Sequence, residues 1–352
     1  MAELNNQKFN HIKIHTQYSI CEGAIKIEEL KEVCKINKIS CLGLSDTSNL
    51  CGSLEFSENL SKIGTQPIIG TQIYFKFEDT IGLLPLIALN KKGYKRIVEL
   101  SSKSYLENKE LSIPHLNIDE LLNNTDGMIL LSGTIHGLFG KLFEKGRVDK
   151  INQLYKNLSL EFKDRFYLEI QRHGDKNEVA FEKFNLDESS KLKIPLIATN
   201  EVFYLTTDMH EAHDALTCIG SKTYINEKNR TKYSKQHYLK STQEMKELFS
   251  DLPEALENNF NLPFRCNFRP QFSKPVLPNI SSEKGISADE ILKKDSLDGL
   301  KEKFLKVFKI ENKNLDNNDF FLKYKDRLDH ELKIIIEMKY SSYFLIVSDY
   351  IK

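Results

Sequence analysis

The stretch HIKIHTQYSICEGAIKI, residues 11–27, carries the clearest indication of how this chain folds. It reads as a short strand that ends at His15, followed by a polar turn, Gly23 and the start of a helix. In α/β proteins, side chains at strand ends reach the loops in which functional sites are built. His15 is therefore the first candidate for a site residue.

Six further runs of apolar, β-branched or aromatic residues predict strands. Together the seven candidate strands are residues 9–15, 41–46, 68–74, 84–90, 128–132, 166–171 and 196–201. Segments with helical spacing lie between most of them, and such alternation is typical of parallel strands joined by crossover helices. The sequence therefore predicts an α/β fold, a distorted seven-stranded TIM-like (β/α) barrel, with an open parallel sheet as the alternative.

The pattern changes after residue 205, where strands are no longer predicted. Ser241 and Ser287 each precede a glutamate by three residues, which predicts two helices that begin with capping boxes. Residues 263–279 contain four prolines and no periodicity, which is typical of a domain boundary. We expect a first domain at 1–270, a proline-rich linker at 271–283 and a mostly helical segment at 284–352.

Bulk composition excludes several classes of protein. The 50 Lys and Arg residues balance 50 Asp and Glu residues, so no net charge attracts the whole chain to nucleic acid or membrane. No apolar run approaches the roughly 20 residues that span a bilayer, and the first residues do not resemble a signal peptide. The six cysteines form no CxxC pair, which favours reduced thiols. We expect a cytoplasmic protein without membrane contact.

Titratable residues recur where the predicted strands end. Strand one ends in His15, strand two in Asp46 and strand seven in Glu201, while strand six leads to His173. Histidine and carboxylate side chains that converge at one face of a barrel are typical of metal-dependent hydrolases, in which bound ions activate water. The pattern alone therefore indicates a hydrolase-type site.

The same segments strongly resemble the amino-terminal part of bacterial DNA polymerase III alpha subunits, the C-family replicative polymerases. That part is a polymerase-and-histidinol-phosphatase (PHP) domain. The similarity runs in one order through HIKIHTQYS, LGLSDTSNLCG, PIIGTQIY, LIALNKKGYKRIVELSSKSYL, DGMILLSG, YLEIQRHG, PLIATNEV, YSKQHYLKSTQEMKELFSDLPEAL and DRLDHELKIIIEMKYSSYFLIVSDYI. It covers nearly the whole chain, so no single motif has to carry it.

The resemblance implies a metal-ligand pattern that this chain has largely lost. His15, Asp46 and His173 keep the family's residue, and Glu201 stands where the family has an aspartate. The family's ligand is replaced at six positions, namely Lys13, Thr47, Gln72, Leu83, Thr134 and Phe203. The ammonium of Lys13 could pair with Asp46 or Glu201 and replace a metal's charge, or it could simply be solvated.

The remaining ligand positions have structural interpretations of their own. His15 and His173 are more simply read as hydrogen-bonded histidines, and Asp46 is equally well a turn or helix-cap acid. We therefore expect no bound metal and no catalytic residue in this chain.

The family's function sets further expectations. It implies part of a DNA-directed DNA polymerase, a nucleotidyltransferase that uses Mg²⁺ in DNA replication, with residues 284–352 as the first helices of its palm. We expect this chain to be the front part of a longer one, inactive alone, with a bracing and docking role. The expected partners are the rest of the alpha subunit, a proofreading exonuclease subunit and, through the complete polymerase, the replisome and DNA. The alternatives are an active PHP phosphoesterase or 3'-5' proofreading exonuclease, and an interaction scaffold complete at 352 residues.

Two basic segments could contact nucleic acid. The first carries Lys91, Lys92, Lys95 and Arg96, and the second carries Lys222, Lys228, Arg230, Lys232 and Lys235, with Tyr224 and Tyr233 among them. Basic residues interleaved with aromatic residues fit phosphate contact and base stacking. A solvated loop is the alternative interpretation.

Overall fold

A computed structural model describes residues 8–107, 113–274, 285–308 and 318–351 of the chain. By its internal contacts the chain divides into two compact units, Met1–Phe272 and Ser273–Lys352. The linker predicted at 271–283 overlaps this division, but its residues from 275 onward lie outside the described residues.

One mixed sheet of nine strands forms the centre of the first unit, as far as the structure describes it. The strands are β1 (His11–Ile14), β2 (Cys41–Thr47), β3 (Gln66–Phe77), β4 (Thr80–Ala88), β5 (Leu116–Asn117), β6 (Met128–Leu131), β7 (Phe166–Ile170), β8 (Leu196–Ala198) and β9 (Glu201–Val202). All seven predicted strands are present. The seventh is divided into β8 and β9, and the short β5 was not predicted.

The order of the strands describes a distorted barrel that is not fully closed, since β8 and β9 do not pair with each other. It runs β8-β7-β6-β4-β3-β2-β1-β9, with β5 attached to β3. β8 pairs with β7 at one end of this order, and β9 pairs with β1 at the other. Only two residues separate β8 from β9, so a single stretch of chain joins both ends of the sheet.

The direction of β4 differs from the prediction of parallel strands. β4 is antiparallel to both β3 and β6. Only residues 78 and 79 connect β3 to β4, which leaves no room for a crossover helix and forces a hairpin. Because β4 runs the opposite way, Leu83 near its beginning pairs with Tyr74, close to the level at which β2 ends.

Helices connect the strands and then form the second unit. In the first unit they are α1 (Ile27–Asn37), α2 (Ser53–Ser61), α3 (Lys91–Leu106), α4 (Ile118–Leu122), α5 (Leu138–Glu144), α6 (Val148–Phe162), α7 (Glu178–Leu192), α8 (His210–Ser221), α9 (Thr242–Leu248) and α10 (Pro253–Arg265). In the second unit they are α11 (Ala288–Lys306), α12 (Asp319–Glu337) and α13 (Ser341–Ile351). Among the described residues, no helix is both long enough and apolar enough to cross a membrane.

Local chemistry explains where several helices begin. Both predicted capping boxes are present. The hydroxyls of Ser241 and Ser287 each accept the backbone amide of the glutamate three residues later, and the backbone amide of each serine donates to the carboxylate of that glutamate. Pro253 occupies the first turn of α10, where its missing N–H leaves no hydrogen bond unmade. α10 also contains Pro263 and ends at Arg265, so the irregular segment expected from residue 263 onward begins only after the helix.

The start of α3 shows how closely the backbone packs around the sheet. A Cβ added at Gly93 would lie 1.7 Å from the carbonyl oxygen of Gly127, in the turn before β6. Asn90 caps the same helix end by accepting the amides of Lys92 and Gly93. The helix can approach this turn only because residue 93 has no side chain.

Candidate functional site

A small cleft, with a volume of about 40 Å³, opens beside the barrel strands. Residues of β2, β3, β4 and β9 line it, together with the loops that follow β1, β6 and β7. Seven of the ten positions taken from the sequence are in its lining, namely His15, Thr47, Gln72, Leu83, Thr134, Glu201 and Phe203. The other three, Lys13, Asp46 and His173, are buried and outside that lining. The fold thus brings together residues that are nearly 190 positions apart in sequence.

Lys13 is fully buried between two carboxylates. Its Nζ lies 3.1 Å from Oε1 of Glu169 and 3.1 Å from Oε2 of Glu201. Burial by itself would lower the pKa of Lys13, but Coulombic attraction to both glutamates outweighs burial and raises it. Of the two partners considered from the sequence, the structure gives Glu201 and not Asp46, and it adds Glu169.

Glu201 accepts hydrogen bonds on both oxygens. Oε2 faces Lys13, while Oε1 accepts from Nε2 of His15 at 2.8 Å and from the Gln72 amide. Burial would raise the pKa of Glu201, but the Lys13 ammonium and the His15 hydrogen bond hold it well below its usual range. The buried glutamate therefore stays ionised.

Asp46 stabilises the turn after β1. Its carboxylate accepts the backbone amide of Thr16 at 2.6 Å, the Thr16 hydroxyl at 2.8 Å and the Ser19 hydroxyl at 2.8 Å. Burial raises the pKa of Asp46 although these hydrogen bonds oppose the rise. Of the two interpretations left open by the sequence, these contacts favour the turn acid.

Lys13, His15, Gln72, Glu169 and Glu201 form a hydrogen-bonded group that we call the cage around Glu201. This cage does not fit the metal centre that the sequence resemblance associates with this domain. A divalent ion bound between Glu169 and Glu201 would have to share that space with the Lys13 ammonium. Leu83 and Phe203 contribute no lone pair, and the Phe203 ring packs 4.5 Å from the His15 ring. The charge that ions would supply is therefore partly supplied by lysine.

His173 contributes to a second polar group beside this cage. Its ring stacks on that of His237, with centroids 4.0 Å apart and planes 6° apart. His173 Nε2 lies 3.0 Å from Oδ1 of Asn200. Burial lowers the pKa of His173 and of His237 to about 4. Both rings are therefore neutral at pH 7.

Asp175 lies between two histidines at the rim of the cleft. Its Oδ2 is 3.1 Å from Nε2 of His136 and 3.5 Å from Nε2 of His237. Burial would raise the pKa of Asp175, but hydrogen bonds from His136 and His237 hold it below its usual range. The hydrogen bond to Asp175 raises the pKa of His136.

Three residues of this region were missed by sequence reasoning: Glu169, Asp175 and His237. Glu169 had a recognisable signal, because it is a charged residue between apolar neighbours in the strand FYLEI. A buried acid requires a partner, and Lys13 is a buried base in the strand HIKI. Asp175 and His237 lie in connections without periodicity, and we find no sequence signal that would have selected them.

The basic segment at 222–235 is arranged differently from the expectation. The guanidinium of Arg230 binds both carboxylate oxygens of Asp214, at 2.6 and 2.7 Å, and is almost fully buried. The Tyr233 ring packs 4.7 Å from the Phe203 ring and lines the cleft. The exposed members are Lys222, Tyr224, Lys228, Lys232 and Lys235. A nucleic-acid contact here remains a prediction that depends on the four lysines.

Comparisons with known proteins cover both units. A family model described as the PHP domain matches residues 11–173, and one described as the bacterial DNA polymerase III alpha NTPase domain matches residues 290–352. The DNA polymerase III subunit alpha of Rickettsia conorii is 37% identical over 347 residues, which are 98% of this chain and 29% of the relative. That of Caulobacter vibrioides is 34% identical over 365 residues, covering 100% of this chain and 31% of the relative.

Structural similarity is much weaker. A two-domain protein from Bacteroides vulgatus, containing a predicted PHP-like metal-dependent phosphoesterase, aligns with 68% of this chain and 62% of its own. The TM-score is 0.34 and the sequence identity 12%, so this likeness supports no conclusion about function. The chain spans 29% to 31% of the length of the Rickettsia and Caulobacter relatives.

Proposed function

This chain belongs to the family of bacterial DNA polymerase III alpha subunits, and we propose that its barrel braces the polymerase and no longer cleaves phosphoesters. The observation that carries this proposal is the buried Lys13, whose ammonium lies 3.1 Å from one oxygen of Glu169 and of Glu201. An internal cation makes the two carboxylates a stabilising element of the fold. They are then unavailable as ligands for ions that activate water.

The complete protein would carry out DNA-templated DNA synthesis, as a cytoplasmic nucleotidyltransferase that uses Mg²⁺. In this proposal the helical second unit is the beginning of the palm, and the catalytic residues lie outside this chain. The barrel would offer docking surface to a proofreading exonuclease subunit and, through the complete polymerase, take part in the replisome. The family membership supports these roles, and each needs its own test.

Retained hydrolysis is the rival function, and the cleft chemistry argues against it. Phosphoester cleavage by bound ions needs several lone-pair donors around each ion and a water-filled position. Here Leu83 and Phe203 present apolar surface to the cleft, and the Lys13 ammonium faces the carboxylates of Glu169 and Glu201. Thr47, another lost ligand position, donates its hydroxyl to Glu22 at 2.5 Å, so both groups are engaged with each other.

A nuclease assay with added metal tests the proposal. The chain is incubated with a 3'-labelled single-stranded oligonucleotide and Mn²⁺ or Zn²⁺, beside His15→Ala prepared in parallel. We expect equal, background-level release of nucleotide from both proteins. Release by the unaltered chain that His15→Ala abolishes would show a working hydrolytic centre and refute the proposal.

A further inference from the structure

A second concave surface, much larger than the cleft, lies between the loop after β1, the turn after β2 and one face of α3. We call it the α3 groove. It has a volume of about 810 Å³ and shares no lining residue with the cleft. Its walls are mainly apolar and include Ile20, Leu50, Val98 and Tyr105. None of its lining residues is among the ten positions that the family resemblance selects.

Several apolar side chains of the α3 groove are exposed to solvent. Ile20 is 82% exposed, Tyr105 52% and Val98 37%. Leu106, which follows Tyr105 at the end of α3, is 82% exposed. Apolar residues scattered singly over a surface are ordinary, but several of them grouped in one concave surface are typical of a site that binds another molecule.

Hydrogen bonds hold the walls of the groove together. Nδ2 of Asn49 donates to the carbonyl oxygen of Tyr18 at 2.9 Å, which joins the turn after β2 to the loop after β1. Oγ of Ser101 donates to the carbonyl oxygen of Ser48 at 3.2 Å, which joins the same turn to α3. A groove that is already formed loses little conformational entropy when a partner binds.

Ser48 is a polar residue of the groove whose side chain has no partner. It is 6% exposed, and its Oγ makes no hydrogen bond within the described residues. A buried hydroxyl without a hydrogen bond costs free energy. A peptide group bound against Ser48 would supply the missing partner.

Two lysines add positive charge to the wall that α3 forms. Lys92 and Arg96 are engaged in ion pairs, whereas Lys91 and Lys95 are exposed and make no ion pair within the part of the chain that the structure describes. Residues three, four or seven positions apart lie on one face of a helix, so Lys91 and Lys95 share a face with Val98. The groove therefore combines an apolar centre with free positive charge near the beginning of α3.

We propose that the α3 groove binds a peptide segment of a partner protein in which bulky apolar residues are flanked by acidic residues. The apolar side chains would pack against the exposed apolar wall, and the acidic side chains would pair with Lys91 and Lys95. This inference rests on the docking role in the proposed function and gives that role a location and a partner chemistry. Single-stranded DNA fits less well, because no lysine or arginine lines the groove itself.

Selection from a random dodecapeptide library displayed on phage tests this groove. The 352-residue chain is the bait, and phage that also bind Val98→Asp are discarded. We expect the remaining peptides to combine Leu, Ile or Phe with Asp or Glu. A fluorescein-labelled copy of the most enriched peptide is then titrated with each protein, and fluorescence anisotropy gives its Kd.

Substitutions in the groove should weaken binding of this peptide. Ile20→Asp and Val98→Asp should each raise its Kd about tenfold or more, because a charge would enter the apolar contact. Lys91→Glu combined with Lys95→Glu should raise it about threefold or more at low salt, and less at about 0.5 M NaCl. Val179→Asp, at an 80% exposed position of α7, is the matched control and should leave the Kd unchanged. Thermal unfolding followed by circular dichroism checks that every variant is folded.

The possible outcomes separate this inference from the proposed function. Failure to enrich peptides over Val98→Asp, or a Kd that the groove variants leave unchanged, would overturn the inference and leave the proposed loss of phosphoester cleavage intact. Binding of a fluorescein-labelled oligothymidine that Val98→Asp weakens, without peptide binding, would overturn it in favour of nucleic acid. Nucleotide release that depends on His15 would refute the proposed function without changing the peptide result.

Discussion

Replacing Lys13 by methionine removes the ammonium that faces both Glu169 and Glu201 inside the barrel. Methionine fills a similar volume, so the main change is the loss of charge. Two carboxylate oxygens that were 3.1 Å from Nζ are then left buried without this cation. Breaking a buried ion pair by removing one partner costs about 3–5 kcal/mol, and we expect this loss in the free energy of unfolding at pH 7.

The pH dependence gives the experiment a second readout. The folded pKa of Glu201 is depressed, so its stabilisation is present above the unfolded value near 4.5 and is lost as pH falls through the folded pKa. The folded pKa of Lys13 is raised, so its stabilisation is present below 10.5 and is lost as pH rises through the folded pKa. The difference between the unaltered chain and Lys13→Met should therefore be largest between about pH 5 and pH 10.

Urea unfolding followed by circular dichroism at pH 7 and pH 4 measures both effects. Lys26→Met is the matched control, because the Lys26 side chain is 70% exposed and its removal should leave the midpoint unchanged. Adding Glu169→Gln and Glu201→Gln to Lys13→Met should recover part of the loss, since no unpaired charge is then buried. A loss below about 1 kcal/mol at pH 7, or one as large at pH 4, would refute the assignment of Lys13 as an internal cation.

Other parts of the chain give four more expected outcomes. Asp46→Ala should cost about 2–3 kcal/mol in urea titrations because three buried donors lose their acceptor, and Asp46→Asn should cost clearly less; equal costs would contradict the turn role. Gly93→Ala should lower the free energy of unfolding by more than about 2 kcal/mol, because the new Cβ would collide with the backbone of Gly127. Gly299→Ala in α11 is the control: its Cβ would meet nothing within 4 Å, so it should stabilise the chain by about 0.5–1 kcal/mol. Similar melting temperatures for the two variants would count against the close packing of α3. Burial lowers the pKa of His11 to about 4. The stability that neutral His11 contributes is therefore present above pH 6.5, and up to about 3 kcal/mol of it is lost as pH falls toward 4. The melting temperature of His11→Gln should accordingly fall less steeply than that of the unaltered chain between pH 6.5 and pH 4. Replacing the four exposed lysines of residues 222–235 by alanine should reduce the salt slope of DNA binding by about 0.7–0.9 for each lysine that neutralises a phosphate, and an unchanged slope would remove this segment from the nucleic-acid interface.

The strands of the barrel could be predicted from sequence because each is a compact apolar run bounded by turns. The direction of β4 could not. The turn at residues 78 and 79 lacks the Asn-Gly or Asp-Gly pair that marks a two-residue hairpin, and Glu78 adopts a positive φ of 52° without glycine. The predicted strands were also too short at this point, so the connection between them looked long enough for a crossover.

The convergence of the site residues could be predicted because the resemblance fixes which positions meet at one end of the barrel. Of the two partners of Lys13, Glu201 was among those considered from the sequence and Glu169 was not, since ion pairing depends on which side chains reach each other across the sheet. Glu169 stands on β7, 156 residues from Lys13, and no local pattern connects the two. The stack of His173 on His237 was missed for the same reason, because His237 lies in a connection without periodicity.

Residues 196–202, which join the two ends of the sheet, also set the order of events during synthesis. The β3–β4 hairpin pairs residues that are 3 to 17 positions apart and can form as soon as it emerges, whereas Lys13 must wait for Glu169 and Glu201, made 156 and 188 residues later. At cellular translation rates of 5–20 residues per second that delay is roughly 10–40 s. We expect Lys13 to leave water only once both carboxylates are present, so that its dehydration and its pairing with Glu169 and Glu201 fall in one late step of folding.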